Sequence, residues 1–224
     1  MNRTLAIGDI HGCLTALETL LALVKPDAGD TVITLGDYVD RGPNTRGVLE
    51  RLIALAEETR LIPLRGNHDI MMLAARSESD VYRRQWERVG GDATLASYDG
   101  SLDAVPPSHW RFLEDTRPFH ETATHIFVHA GADAETPMGE QHDGILYWEK
   151  LRNPDPHFSG KTIVVGHTSQ KNGVPLDLGH TICIDTWACG TGWLSCLDVG
   201  TGRIWQADEA GEERLLWRDE LGEA

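Results

Sequence analysis

Five short segments carry residue types that can do chemistry together. They are Gly8-Asp9-Ile10-His11-Gly12, Gly36-Asp37-Tyr38-Val39-Asp40-Arg41-Gly42, Gly66-Asn67-His68-Asp69, Val128-His129-Ala130-Gly131 and Gly166-His167-Thr168. Each offers Asp, Asn or His beside glycine or another small residue, and glycine lets a backbone turn sharply and approach a ligand closely. Carboxylate and amide oxygens mixed with imidazole nitrogens suit divalent metals of intermediate hardness, such as manganese, iron or zinc. Asp9, His11 and Asp37 can hold one ion. Asp37, Asn67, His129 and His167 can hold a second, with Asp37 bridging. Two ions ~3.5–4 Å apart clamp a phosphoryl group and ionise a water between them. Two such cations, two carboxylates and one hydroxide leave a cluster of charge about +1, which attracts a phosphate.

Each residue alone has a plainer reading. A Gly-Asp after a strand is most often a turn, and a lone His129 or His167 is more often a half-buried polar residue. Asp40 and Asp69 both precede helical patterns and suit helix caps. Arg41 and Arg65 suit surface ion pairs. The dimetal reading rests on the whole set: five segments, in order, each after a strand.

The elements that must position these residues follow from periodicity. Thr4–Ile7, 31–35 and 60–64 are short apolar or β-branched runs, and each ends at one of the first three segments. Between them, Leu14, Leu17, Leu20, Leu21 and Val24 recur at helical spacing, as do Leu49, Leu52, Ile53 and Leu55. Strand, polar loop and helix in repetition predict βαβ units with a parallel sheet, whose loops share its carboxyl edge. Residues from about 70 to 118 mix charges with Tyr82, Trp86, Tyr98 and Trp110 and predict a mostly helical insertion over the site. Residues 126–128 and 162–165 return to strand character, and 180–207 predict an antiparallel sheet. The fold class is α/β (α+β), with one domain over 1–207. Residues 208–224 read as an acidic tail anchored by Leu215-Leu216-Trp217.

Composition narrows the function classes. The 224 residues include 20 Lys+Arg against 35 Asp+Glu, a formal charge of -15. Such a surface repels phosphate backbones, which argues against binding a nucleic-acid duplex. The only apolar run near the N-terminus, residues 5–7, is too short for a signal-peptide core or a membrane span. Cys13, Cys183, Cys189 and Cys196 form no C-x-x-C pair, so reduced thiols in the cytoplasm are expected. His109, His120, His125, His142 and His157 read as ordinary polar or surface residues.

The segments G-D-x-H-G, G-D-x-V-D-R-G and G-N-H-D, followed by V-H-A-G and G-H-T, resemble the phosphoprotein phosphatase family of calcineurin-like metallophosphoesterases. The likeness is to its bacterial and phage serine/threonine phosphatase branch, which also holds symmetrical dinucleoside tetraphosphatases. It runs from Leu5 to about Ala207. It implies a β-sandwich of two mixed sheets flanked by helices, with a dimetal site at the strand-end loops. It implies Asp9, His11 and Asp37 as ligands of a first ion, and Asp37, Asn67, His129 and His167 as ligands of a second. It implies two divalent cations, manganese foremost, with iron, zinc or nickel as alternatives. His68 resembles the general acid, paired with Asp40, while Arg41 and Asn67 resemble the groups that grip phosphate. Relatives often carry a phosphate-binding Arg two residues after a Trp. Here Lys150 stands two residues after Trp148, with Arg152 two further on, so both are candidates. Many relatives have Glu where this chain has Asp69, a position expected to flank the site with little effect.

The implied reaction is direct hydrolysis. A metal-activated water attacks phosphorus and His68 protonates the departing oxygen. The substrate is a phosphorylated protein, with phosphoserine or phosphothreonine first and phosphotyrosine further, or a small phosphoester. The competing substrate is a symmetrical dinucleoside tetraphosphate, which needs an apolar cleft for its bases and cations along its phosphates. Arg76, Arg83, Arg84, Arg88 and Trp86 suit that role, but Glu78, Asp80, Glu87 and Asp92 offset their charge. An inactive metal-binding module would need a missing ligand or acid, and none is missing.

Overall fold

Alternation along the strands decides the layers. In β1 (Thr4–Ile7), Leu5 and Ile7 turn to a cluster that includes helical leucines, while Ala6 turns to a cluster shared with a second sheet. In β2 (Thr31–Thr34), Val32 and Ile33 divide in the same way. A strand apolar on both faces must be covered on both. In this computed structural model, which describes residues 2–77 and 80–221, that is the arrangement. Strands β1, β2 and β3 (Arg60–Pro63) run parallel, with Ala6, Ile33 and Ile62 in register. Helices α1 (Leu14–Val24) and α2 (Thr45–Glu58) cover their outer face through Leu17, Leu20, Leu49 and Leu52.

Between β3 and the second sheet lie α3 (Asn67–Ser77), α4 (Asp80–Trp86), α5 (Asp92–Ser97) and α6 (Pro107–Glu114), the stretch expected to be helical. Glu78, part of its expected charge balance, lies outside the described residues, as does the side chain of Asp80. The second sheet contains β4 (Phe119–Glu121), β5 (His125–Val128), β6 (Thr162–Val165), β7 (Leu176–Asp177) and β8 (Thr181–Cys183), in the order β4-β5-β6-β8-β7. Its central strands β5, β6 and β8 are parallel. Phe127, Val164 and Ile182 face the first sheet. Val128, Ile163 and Val165 face outward against Leu146 and Tyr147 of α7 (Asp143–Tyr147).

The chain then returns to the first sheet through β9 (Asp185–Thr186), β10 (Trp193–Asp198), β11 (Arg203–Ala207) and β12 (Glu213–Trp217). Strand β10 pairs antiparallel with β1, so the first sheet is mixed, in the order β12-β11-β10-β1-β2-β3 with β9 on β10. One expectation is corrected here. Part of the stretch expected as an acidic tail is a strand: β12 pairs with β11 from Ala207↔Glu213 to Arg203↔Trp217. Leu216 turns toward the inter-sheet core and leaves Leu215 and Trp217 exposed, a period-two pattern hidden by the acidic residues around it. No described helix is long and apolar enough to cross a membrane.

Candidate active site

The five segments follow β1, β2, β3, β5 and β6, so the parallel strands of both sheets deliver them to one edge of the sandwich. The backbone there is held in a conformation that L-residues avoid. His11, Asp37, Asp40, Arg41 and His167 all have positive φ, between 46° and 73°. Each such residue costs on the order of 1–3 kcal/mol and persists only where its surroundings fix it. Asp69 supplies part of that restraint. Its Oδ2 accepts the N–H groups of Asp37 and Gly66 at 2.9 Å each, and its Oδ1 accepts that of Tyr38 at 3.1 Å. The loops after β2 and β3 also touch directly. A Cβ on Gly36, whose φ is 98°, would lie 2.4 Å from the Gly66 nitrogen.

Asp37 stands between two imidazoles. Its Oδ2 lies 3.4 Å from His11 Nε2 and its Oδ1 lies 3.5 Å from His129 Nε2. His11 and His129 each donate Nδ1–H to a backbone carbonyl at 2.8 Å, that of Val39 and that of Leu35 respectively. Each thus keeps its Nε2 lone pair on the side of Asp37. His129 Nε2 also lies 3.0 Å from Asn67 Oδ1. His167 donates Nε2–H to the Trp148 carbonyl at 3.2 Å, which leaves Nδ1 free. Burial, before any other cause, lowers the pKa of His11 and of His167 to about 3, so both are neutral and fit to ligate near pH 7.

The donor set fits divalent cations. Donor atoms of Asp37, His129 and His167 lie within 4.8 Å of one another, and so do those of His11, Asp37 and His68. Asp9 falls outside both groups, although it was expected beside His11 and Asp37. Its two oxygens instead accept the His167 N–H at 3.2 and 3.0 Å. Burial, with the negative charges of Asp185 and Asp37, pushes the Asp9 pKa well above the usual carboxylate range. Bound cations would remove that conflict. A positive charge already occupies part of the space: Arg41 Nη1 lies 3.0 Å from His11 Nε2, and Arg41 Nη2 lies 2.8 Å from His68 Nε2.

His68 belongs to a second network. Its Nδ1–H donates to Asp40 Oδ2 at 2.7 Å. The Asp40 carboxylate, fully buried, also accepts Trp86 Nε1–H at 2.9 Å and Thr94 Oγ1–H at 2.8 Å. Asp40 is therefore not a helix cap, and Trp86, 1% exposed, offers no surface to a base. Lys150 donates to the His167 carbonyl at 2.5 Å, which places it at the site. Arg152 lines a cavity beside the site. Arg65 is tied to Thr116 and Glu114 rather than to a surface acid.

Four residues were missed or misjudged from sequence. Asp69 does not merely flank the site, since it ties two of its loops together. Asp185, at the start of β9, is buried and accepts Ser169 Oγ–H at 2.7 Å and the Trp187 N–H at 3.0 Å. Only its position at a strand end signals it. His109 and His157, taken as polar or surface residues, are buried, and each has a hydrogen-bond partner. Among the described cysteines, Cys189 lies beside Arg41, and burial pushes its thiol pKa up.

Comparison with known proteins agrees with this geometry. The family described as calcineurin-like phosphoesterase matches residues 2–190. Serine/threonine-protein phosphatase 1 of Salmonella typhimurium is 30% identical over 200 residues, covering 84% of this chain and 88% of that one. A symmetrical bis(5'-nucleosyl)-tetraphosphatase of Ralstonia nicotianae is 33% identical over 135 residues, 60% of this chain but 44% of that relative. The solved cold-active protein-tyrosine phosphatase of a psychrophilic Shewanella has the same fold, with a TM-score of 0.67 and 19% identity over 96% of this chain and 80% of that one. With the match spanning every one of the five segments, the chain belongs to the calcineurin-like phosphoesterase family and is a phosphoric-ester hydrolase.

Proposed function

We propose that the chain is a dimetal phosphomonoesterase that removes phosphate from phosphoserine and phosphothreonine in proteins, with phosphotyrosine as a further substrate. The observation that carries the choice is coverage. The phosphatase relative aligns over 88% of its own length, whereas the tetraphosphatase of Ralstonia nicotianae is spanned over 44%. Burial of Trp86 against Asp40 points the same way, because it withdraws that ring of the insertion from receiving a base. The tetraphosphatase reading stays beside it, since the relatives include several such enzymes over shorter stretches.

In this reading Asp9, His11 and Asp37 would hold one cation, and Asp37, Asn67, His129 and His167 the other. Manganese suits the mixed oxygen and nitrogen donors, and iron, zinc or nickel are the alternatives. When bound, the two cations supply Lewis-acid polarisation of the phosphate and an ionised water. The side chains do the rest. Asp37 turns one oxygen to each side of the site. Arg41, at hydrogen-bonding distance of His11 Nε2, would turn that N–H to a phosphate oxygen. Asn67 and Lys150 add contacts to the phosphate, and Arg152 stands further out. His68, held by Asp40 at Nδ1, would carry a second proton on Nε2 and donate that one to the leaving oxygen. A cytoplasmic location belongs to the same proposal.

The test is a side-by-side comparison of kcat/KM for the manganese-loaded enzyme. The substrates are a phosphoserine peptide, p-nitrophenyl phosphate and diadenosine tetraphosphate. The phosphopeptide should be preferred over the dinucleotide. A strong preference for diadenosine tetraphosphate would replace this reading with the second.

A further inference from the structure

Asp40 and Arg41 are consecutive, and both are left-handed, with φ of 73° and 68°. Such residues persist only where their surroundings fix them. Arg41 is exposed, so burial does not hold it. The contacts that do come from one stretch, residues 86–94, which runs from the end of α4 into α5. Trp86 Nε1–H reaches both Asp40 oxygens at 2.9 Å. Thr94 Oγ1–H donates to Asp40 Oδ1, and the same oxygen accepts the Asp40 N–H, at 2.8 Å each. Trp86, Thr94 and Asp40 are all buried. The turn Glu87–Gly91 between the helices breaks at Gly90, whose φ is 125°. The Gly90 carbonyl accepts the Arg41 N–H at 3.0 Å. A Cβ on Gly90 would lie 2.7 Å from Arg41 Cγ and 2.9 Å from its nitrogen, so both its own backbone and its neighbour require glycine there.

We propose that residues 86–94 are a seat that sets two functions of the site at once. Trp86 and Thr94 are positioning residues for Asp40, and through it for His68. Gly90 is a positioning residue for Arg41. In the phosphatase reading, on which this rests, His68 serves the leaving oxygen and Arg41 grips phosphate. The contacts divide between these tasks. Trp86 and Thr94 hold the Asp40 carboxylate so that Oδ2 meets His68 Nδ1 at 2.7 Å. Gly90 meets Arg41 at its nitrogen and Cγ, and the guanidinium beyond reaches His11 and His68. Thr94 also holds the Asp40 N–H, the backbone that leads into Arg41. A small displacement of a charged hydrogen-bonding group weakens it steeply, so the seat acts on rate and on phosphate affinity separately.

The test compares the manganese-loaded full chain with its W86F, G90A, T94V and T94S variants. The substrates are a phosphoserine peptide and p-nitrophenyl phosphate, and metal content and circular dichroism are recorded for each protein. W86F removes a donor to the carboxylate. It should cost about tenfold more in kcat/KM on the phosphopeptide, whose leaving group needs a proton, than on p-nitrophenyl phosphate. G90A pushes on Arg41. It should raise KM and the inhibition constant of inorganic phosphate about tenfold, alike on both substrates. T94V has the shape of threonine without the hydroxyl and should show both effects. T94S keeps the hydroxyl and should restore both. A purely structural stretch would lower stability or rates without this division. Equal losses on both substrates in W86F, an unchanged phosphate inhibition constant in G90A, or T94S no better than T94V would overturn the inference and leave the phosphatase reading standing. Where W86F or G90A does not fold, T94V against T94S reads the same effect, and its absence there would overturn the inference. A native chain that cleaves neither substrate while diadenosine tetraphosphate is cleaved would overturn both.

Discussion

His68 donates its Nδ1–H to Asp40 over 2.7 Å, and the same carboxylate is saturated by Trp86 and Thr94. An imidazole fixed in this way keeps Nδ1–H on Asp40 and has one orientation, and it presents Nε2, the atom that would carry the transferred proton, to the site beside Arg41. A positioned general acid matters in proportion to how badly the leaving group needs a proton.

Serine alkoxide leaves poorly and p-nitrophenolate leaves almost unaided. His68→Asn should therefore slow phosphoserine hydrolysis by about 10²–10⁴-fold and p-nitrophenyl phosphate hydrolysis far less, with metal content unchanged. Asp40→Asn should show the same asymmetry more mildly. Equal losses on both substrates would make His68 a positioning or phosphate-binding residue.

Asp37 faces His11 with one oxygen and His129 with the other. Asp37→Asn should reduce metal content at both positions and cost more activity than Asn67→Ala, which touches one. Metal analysis of the two purified variants beside their rates decides this. Equal metal content and equal rates would refute the bridging role.

Asp69 accepts three backbone N–H groups, one of them from Asp37 itself. Asp69→Asn must turn an NH₂ toward at least one of these donors. The expected cost is about 1–3 kcal/mol of stability, read from denaturant unfolding, together with weaker metal binding. Native stability in the variant would show that the loops hold their left-handed residues without it.

The pH dependence of metal binding has a definite sign. His11 and His167, with pKa lowered to about 3, have no proton to lose above about pH 5. Asp9 has its pKa raised by burial and by Asp185 and Asp37, so it is the group that holds a proton to higher pH. Protons then compete with metal for a carboxylate, so affinity should weaken as pH falls. Asp9→Asn should flatten that dependence. Calorimetric titration in buffers of different ionisation enthalpy counts the protons released. An unchanged slope in the variant would assign them elsewhere.

The residues gathered at the sheet edge were legible in the sequence because each sits beside a small residue at the end of an apolar run, a local signal. The ties between them were not. Trp86 and Thr94 reach Asp40 across 46 and 54 residues, and their spacing to it has no period. Asp69 reads locally as a helix cap, and only the fold brings the Asp37 loop onto it. Strand β12 was missed because its alternating Leu215, Leu216 and Trp217 are short and flanked by acids, and pairing with β11 decides their conformation.

The central claim is that two cations held by this donor set are needed for hydrolysis of a phosphate monoester. The most direct measurement is a titration of the metal-stripped chain with manganese, following bound metal and phosphoserine-peptide hydrolysis in the same samples. Activity should be absent without metal and should saturate near two equivalents per chain. Full activity in the verified metal-free chain, or saturation at one equivalent, would contradict it.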